Sequence, residues 1–257
     1  MKFILFKKKK IVGTIVLSCV LAIMLAITYV SGSYVLVAGK ATKKTPIYCV
    51  QTNEKKVAIS FDASWGADKT DSILQMLTTY DVCANYFVVG FWVDKYASEL
   101  KKLHDSNRVE IGTHSNTHPH MSSLSKSQKK LELTTSMEKI KSVIGKAPTL
   151  FRAPFGEYDD ELLETASELG LYTIQWDVDT LDWKGLSATK IATRVLKKVK
   201  NGSIILMHND GEHTVESLPL IIEGLKNKGY TFVTIGELIY KDNYEIDHTG
   251  KQIQKEG

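Results

Sequence analysis

The sequence predicts an α/β fold: a distorted parallel (β/α)7-type barrel behind an N-terminal transmembrane helix. Three observations carry this. Short apolar strands alternate with amphipathic helices from Lys55 to Tyr240, the pattern of parallel strands joined by helical crossovers. Seven strands can be counted, which suits an incomplete barrel better than an open sheet. Upstream, Lys2, Lys7, Lys8, Lys9 and Lys10 precede an apolar run at 11–30, the length a bilayer-spanning helix needs.

Taken in order, residues 1–10 read as a basic cytoplasmic segment and 11–30 as a membrane anchor. A cleaved signal peptide is the alternative, but the apolar run is long and the small-residue sites after it are poor. Lysines on the near side place the rest of the chain outside the cytoplasm, as a single-pass protein of the cell membrane. Residues 31–54 read as a stalk, 55–240 as the folded domain, and 241–257 as a loosely ordered polar tail.

Within the domain, strands are expected at 57–61, 84–89, 109–113, 150–151, 172–176, 203–207 and 231–234. Helices are expected at 69–79 with Asp68 as cap, at 94–106, and at 126–144 with Ser125 as cap. Further helices are expected at 159–169, at 188–199 after Ser187, at 215–228, and near Glu237. Gly170 and Gly229 suit helix ends.

Composition excludes some classes. At 43% hydrophobic and 24% charged residues, the chain is globular. The net charge of +4 is accounted for by the five N-terminal lysines, so no basic surface invites nucleic acid. Cys19, Cys49 and Cys83 are too few for a disulfide framework or a metal-binding cluster; a Cys49–Cys83 bridge is the one pairing outside the membrane segment.

In a parallel barrel the active site lies at the C-terminal ends of the strands. Five predicted strands exit into chemistry-capable residues: Asp62; His114 with His118; Arg152; Asp177, Asp179 and Asp182; and His208. Each has a plain structural use when taken alone. Asp62 could cap a turn, His114 could be a satisfied core histidine, and Arg152 could pair with a surface acid. Their convergence on one rim argues for a catalytic site. His114 and His118 stand at i and i+4, so one helical turn would bring both imidazoles to one side as half of a metal site. His120, after Pro119, is expected to be exposed.

Five motifs in order then give the stretch 55–240 a family resemblance. They are Ser-Phe-Asp-Ala at 60–63, His-Ser-x-x-His at 114–118, Arg-Ala-Pro-Phe-Gly at 152–156, Asp-x-x-Asp-Trp at 179–183 and Leu-Met-His at 206–208. The stretch resembles the NodB homology domain of the polysaccharide deacetylases, carbohydrate esterase family 4. It is most similar to a membrane-tethered, sporulation-associated subgroup that shares Phe-Asp-x-Ser-Trp-Gly.

The resemblance implies a hydrolase that removes N-acetyl groups from amino sugars of a cell-wall polysaccharide such as peptidoglycan. It implies Asp62 as catalytic base, Arg152 as the group orienting it, and His208 as general acid coupled to Asp182. Phe155 would lend its backbone N–H to the oxyanion, while Trp183 and Leu206 would wall the acetyl methyl. His114 and His118 would bind a divalent metal such as Zn, Co or Ni. The third ligand position is Ala63, which has no donor atom. That leaves metal binding weak or absent and raises the alternative of a catalytically inactive glycan-binding protein.

Overall fold

The computed structural model describes residues 19–24 and 44–255. The chain divides into two units, 1–43 and 44–257. Of the first, only a helical stretch at 19–24 is described; the rest of the expected anchor lies outside the described residues. Among the described residues no helix is long and apolar enough to cross a membrane.

The second unit is built on one long strand, Lys56–Ala63, buried from Val57 onward. Strands with both faces covered read as continuous apolar runs, and this one does. A two-residue strand, β1 (Cys49–Val50), precedes it, so the long strand is β2. β2 pairs in parallel with β3 (Ala84–Val88) on one side. On the other it pairs with β8 (Ile204–His208), and its start also pairs with the short β9 (Thr231–Phe232). Beyond β3 come β4 (Val109–Thr113), β5 (Leu150–Phe151) and β6 (Tyr172–Thr173); beyond β8 comes β7 (Val178–Asp179). Every pairing in this sheet is parallel.

Alternation along the strands sorts the interior. Val57, Ile59, Phe61, Tyr86, Ile205 and Met207 face the helices in the larger apolar cluster. Ala58, Phe87, Leu150 and Ile204 belong to a second cluster on the inner face. The helical layer is α1 (Thr70–Thr79), α2 (Gly90–Lys95), α3 (Ala97–Asp105), α4 (Lys126–Ile144), α5 (Asp160–Glu168), α6 (Ala188–Lys198), α7 (Thr214–Asn227) and the short α8 (Ile235–Leu238).

The sheet curls but its end strands, β6 and β7, are not neighbours. The chain before β2 fills that seam: Ile47 bridges to Ile174 and Cys49 to Ser203. This corrects the expected stalk for residues 44–54; its part at 31–43 lies outside the described residues. From Lys44 the chain belongs to the folded unit, with Ile47 and Val50 each 2% exposed. The expected loose tail is also corrected. β10 (Tyr244–Ile246) and β11 (Lys251–Gln254) form a hairpin whose second strand pairs with β1. The turn is fixed by Asp247 Oδ1, which accepts from Thr249 N at 2.8 Å and Lys251 N at 3.0 Å. Gly250 sits at φ +83° against Tyr48, where a Cβ would lie 2.2 Å from the ring.

Smaller differences have local causes. The helix expected at 94–106 is two helices, because Tyr96 leaves the helical region at φ −128°, ψ 41°. β7 is too short to carry a periodic signal. Ser125 caps α4 in a full capping box with Gln128, as expected, whereas α1 starts after Lys69 with no side-chain cap from Asp68. Cys49 and Cys83 are both free thiols.

The seam makes a sharp prediction. Ile47→Ala should lower stability by about 2–5 kcal/mol, the cost of truncating a well-packed core isoleucine. Urea unfolding of the variant would read it; a change within error would return Ile47 to a stalk.

Candidate active site

Parallel register brings the chemistry together. Asp62, the penultimate residue of β2, lies opposite His208, the last of β8. His114 directly follows β4 and Arg152 directly follows β5. Asp182 opens a 3-10 turn, 182–184, after β7. All five lie at the C-terminal rim of one curled sheet.

Arg152 is the hub and is fully buried. Its Nη1 donates to Asp62 Oδ1 at 2.8 Å. Its Nη2 donates to Ser60 Oγ at 2.8 Å and to the Gln175 carbonyl at 3.2 Å. The guanidinium carbon lies 4.1 Å from the Phe87 ring centre, so an inner-face aromatic supports its flat side. Burial works to raise the Asp62 pKa, but the Arg152 guanidinium, aided by His208, outweighs it and holds the carboxyl below the ordinary range.

His114 is oriented from behind. Its Nδ1 lies 2.8 Å from the Arg152 carbonyl. A carbonyl can only accept, which assigns the proton to Nδ1 and leaves Nε2 as a lone pair, 3.6 Å from Asp62 Oδ2. Burial lowers the pKa of His114, and that of His118 to about 4, so both rings are neutral near neutral pH.

The two rings meet, with centroids 4.9 Å apart, but not through a helical turn. The loop between them bends at Ser115 (φ 69°) and His118 (φ 57°). Glu132 on α4 holds this loop, accepting from Asn116 N at 2.9 Å, Thr117 N at 2.8 Å and Thr117 Oγ1 at 2.7 Å. On the other side Gly90 admits it, since a Cβ there would lie 2.2 Å from Asn116 Oδ1.

Asp182 and His208 form the second pair. Asp182 Oδ1 lies 2.8 Å from His208 Nδ1, and Oδ2 accepts from His208 N and Thr214 Oγ1, each at 2.7 Å. Burial alone would lower the His208 pKa; the bond to Asp182 reverses this and raises it above the ordinary imidazole value. Asp182 is itself fully buried and held ionised by the same contacts.

Around these pairs, Leu206 is buried two residues before His208 on the same face, and Trp183 is 57% exposed at the rim. Phe155 is 55% exposed and sits at φ 59°. Asp177 and Asp179, expected on the rim, do other work. Asp177 accepts from Ser203 Oγ and Ile204 N at the start of β8, and Asp179 caps its own turn through Leu181 N. Sequence reasoning missed Ser60, Gln175, Glu132 and Thr214. Ser60 had a signal, standing two residues before Asp62 and so on its face; the other three had none.

The donors for a metal come to two imidazoles. Ala63 is fully buried and offers only a methyl. Asp62 gives one oxygen to Arg152 and keeps the other facing His114. Among the described residues no group of three or more His, Cys, Asp or Glu is placed to hold a metal ion. A catalytic zinc takes three protein ligands, and this set falls one short.

The model of the polysaccharide deacetylase family matches residues 50–174. Bacillus subtilis (strain 168) YlxY is 35% identical over 194 residues, 76% of this chain and 60% of its own length. The chain therefore spans less than two thirds of that relative. A Bacillus cereus peptidoglycan-N-acetylglucosamine deacetylase is 33% identical over 195 residues, covering 74% of this chain and 91% of the relative. Among solved structures, BA3943 from Bacillus anthracis is described as a CE4 family pseudoenzyme. A mutant of it with restored enzymatic activity superposes at TM-score 0.73 and 36% identity, covering 75% of this chain and 70% of its own. Fold and rim thus define a carbohydrate-esterase type of α/β protein. The chain belongs to the polysaccharide deacetylase family.

Ala63→Asp should complete the ligand set and strengthen zinc binding, since a catalytic zinc takes three protein ligands. Calorimetric titration reads this directly. Equal affinity in both proteins would remove position 63 from the ligand set.

Proposed function

We propose that this protein hydrolyses the acetamide of N-acetylated amino sugars in peptidoglycan, releasing acetate. The observation that supports this most is the pair of acid–base units in register across β2 and β8. One is an ionised carboxylate on an arginine; the other is an imidazole charged by a buried aspartate. Amide hydrolysis needs those two states at once. Asp62, kept ionised, takes a proton from the attacking water. His208, kept protonated, gives one to the departing amine. The backbone N–H of Phe155 stabilises the oxyanion, and Leu206 and Trp183 receive the methyl.

A divalent ion, when bound at His114 and His118, would supply Lewis-acid assistance; zinc, cobalt or nickel suits two imidazoles. The donor set supports only weak binding. The basic N-terminus and the apolar run at 11–30 support a tethered domain outside the cytoplasm, where such a glycan lies. The family resemblance supports a role in cell-wall modification during sporulation.

Two observations favour a second reading, a glycan-binding protein without turnover: Ala63 lacks the donor, and the similar BA3943 is described as a pseudoenzyme. Acetate release from acetylated peptidoglycan fragments, with and without zinc, cobalt or nickel, separates the two. The enzymatic reading expects release that Asp62→Asn abolishes. No release under any metal condition from folded protein, with peptidoglycan binding that survives Asp62→Asn, would favour the second.

The pH profile tests the roles themselves. Activity should fall on the acid side as Asp62 gains its proton, below the ordinary carboxylate range. It should fall on the alkaline side as His208 loses its proton, above the ordinary imidazole value. Asp182→Asn removes what raises His208, so the alkaline limb should move to lower pH. An unmoved limb would take the general-acid role from His208.

A further inference from the structure

One buried side chain outside the two acid–base pairs reaches both halves of the site. Gln175, two residues after β6, is 1% exposed and is bonded in three directions. Its N–H donates to the Ile47 carbonyl at 2.7 Å. Its carbonyl accepts from Arg152 Nη2 at 3.2 Å, and its Nε2 donates to the Gly156 carbonyl at 3.1 Å. The first bond anchors Gln175 to the chain that fills the seam. The second holds the arginine beside Asp62, and the third holds the turn that carries Phe155.

That turn needs a hold. Phe155 and Gly156 stand in succession at φ 59° and 69°, and a bulky residue adopts such a conformation only at a cost. Gly156 N donates to the Ala153 carbonyl and Glu157 N to the Pro154 carbonyl, each at 3.1 Å. Both bonds lie within the turn, so neither fixes it against the sheet. Gln175 does so, with its neighbour Trp176 packed over Gly156, where a Cβ would lie 3.0 Å from the indole.

A primary amide suits this place. It offers an N–H to the Gly156 carbonyl and carries no charge, so it leaves the Asp62–Arg152 pair undisturbed. A carboxylate of the same length would lack the donor and compete for the guanidinium, while a thioether would fill the space without bonding.

We propose that Gln175 is a positioning residue for the hydrolysis, a role that rests on the hydrolase reading above. Its side chain aims the Phe155 N–H at the oxyanion, while its carbonyl steadies the arginine that orients the base. Gln175 touches no reacting atom. It sets the base and the oxyanion donor from one point, and that point is itself held by the seam.

Gln175→Met tests the role in the full-length protein, because it keeps the length and the backbone bonds and removes only the side-chain donor. On acetylated peptidoglycan fragments kcat should fall about tenfold to a hundredfold with KM little changed, since the oxyanion contact exists only in the transition state. The acid limb of the pH profile should stay in place, because the backbone carbonyl still holds Arg152. A general loosening around Arg152 would instead raise the Asp62 pKa and move that limb to higher pH. Gly156→Ala disturbs the same turn from its other side and should show the same split between kcat and KM. The double variant should lose no more than the larger single loss, since both changes act through one turn. A second measurement needs no turnover: in protein isotopically labelled at phenylalanine, the Phe155 amide resonance should broaden or split in Gln175→Met. Thermal melting checks that each variant is folded, and Gly156→Ala carries the test if Gln175→Met is not. Unchanged kcat, a loss that lies in KM, a displaced acid limb or an unaltered Phe155 amide would each overturn the role. Absence of acetate release by wild type sinks the hydrolase alone, and the Phe155 amide then decides whether Gln175 sets the turn.

Discussion

The contact on which the rest depends is the buried ion pair between Arg152 and Asp62. Both groups are nearly or wholly out of water, at 0% and 7% exposure. Such a pair contributes little net stability, yet removing one partner costs about 3–5 kcal/mol because the other is left charged and buried. The arginine does more than neutralise. Through one guanidinium and one carbonyl it joins β2, the segment after β6 and His114, and so fixes the Asp62 carboxylate, its neighbour Ser60 and the His114 tautomer that faces it. A lysine could not reproduce this, since the fork makes three bonds in one plane while its face rests on Phe87.

Around that hub the backbone is bent where the chemistry is. Of the seven described non-glycine residues with positive φ, Ser115, His118, Phe155 and Leu181 lie on the loops that carry the site. Strain of this kind persists only when surrounding structure over-determines it. Here Glu132 clamps the histidine loop, Asp179 holds Leu181 N, and Gln175 Nε2 binds the Gly156 carbonyl at 3.1 Å. The rigid parallel sheet sets positions, and these polar clamps set directions.

What could be read in the sequence follows from the same division. Strands β2, β3, β4 and β8 were legible because buried parallel strands are continuous apolar runs, and their exits named Asp62, His114 and His208 directly. β7 was hidden by its two residues, and Ile47–Val50 and 244–254 were hidden because edge segments carry no period of their own. They order by filling a seam and by pairing with one another. Helical spacing brought His114 and His118 together for the wrong reason: the loop does it through two left-handed residues. Glu132 and Thr214 were illegible since a carboxylate or hydroxyl in a helix looks like solvated surface until its partner's position is known.

The charge count of the site gives Ala63 a meaning beyond a missing ligand. Asp62 is matched by Arg152, and Asp182 by a protonated His208, while His114 and His118 stay neutral. With His208 protonated, these groups sum to zero without an ion. An aspartate at position 63 would add a negative charge in a place that is fully buried, and a buried charge without a partner is costly. A cation would then be required for stability as well as for chemistry. With alanine the site is electroneutral and self-sufficient, so the loss of the third donor and a weak demand for metal are one change rather than two. On the proposed hydrolase reading, water activation then rests on Asp62 and the field of Arg152, and catalytic rate is the quantity on which that substitution should fall hardest.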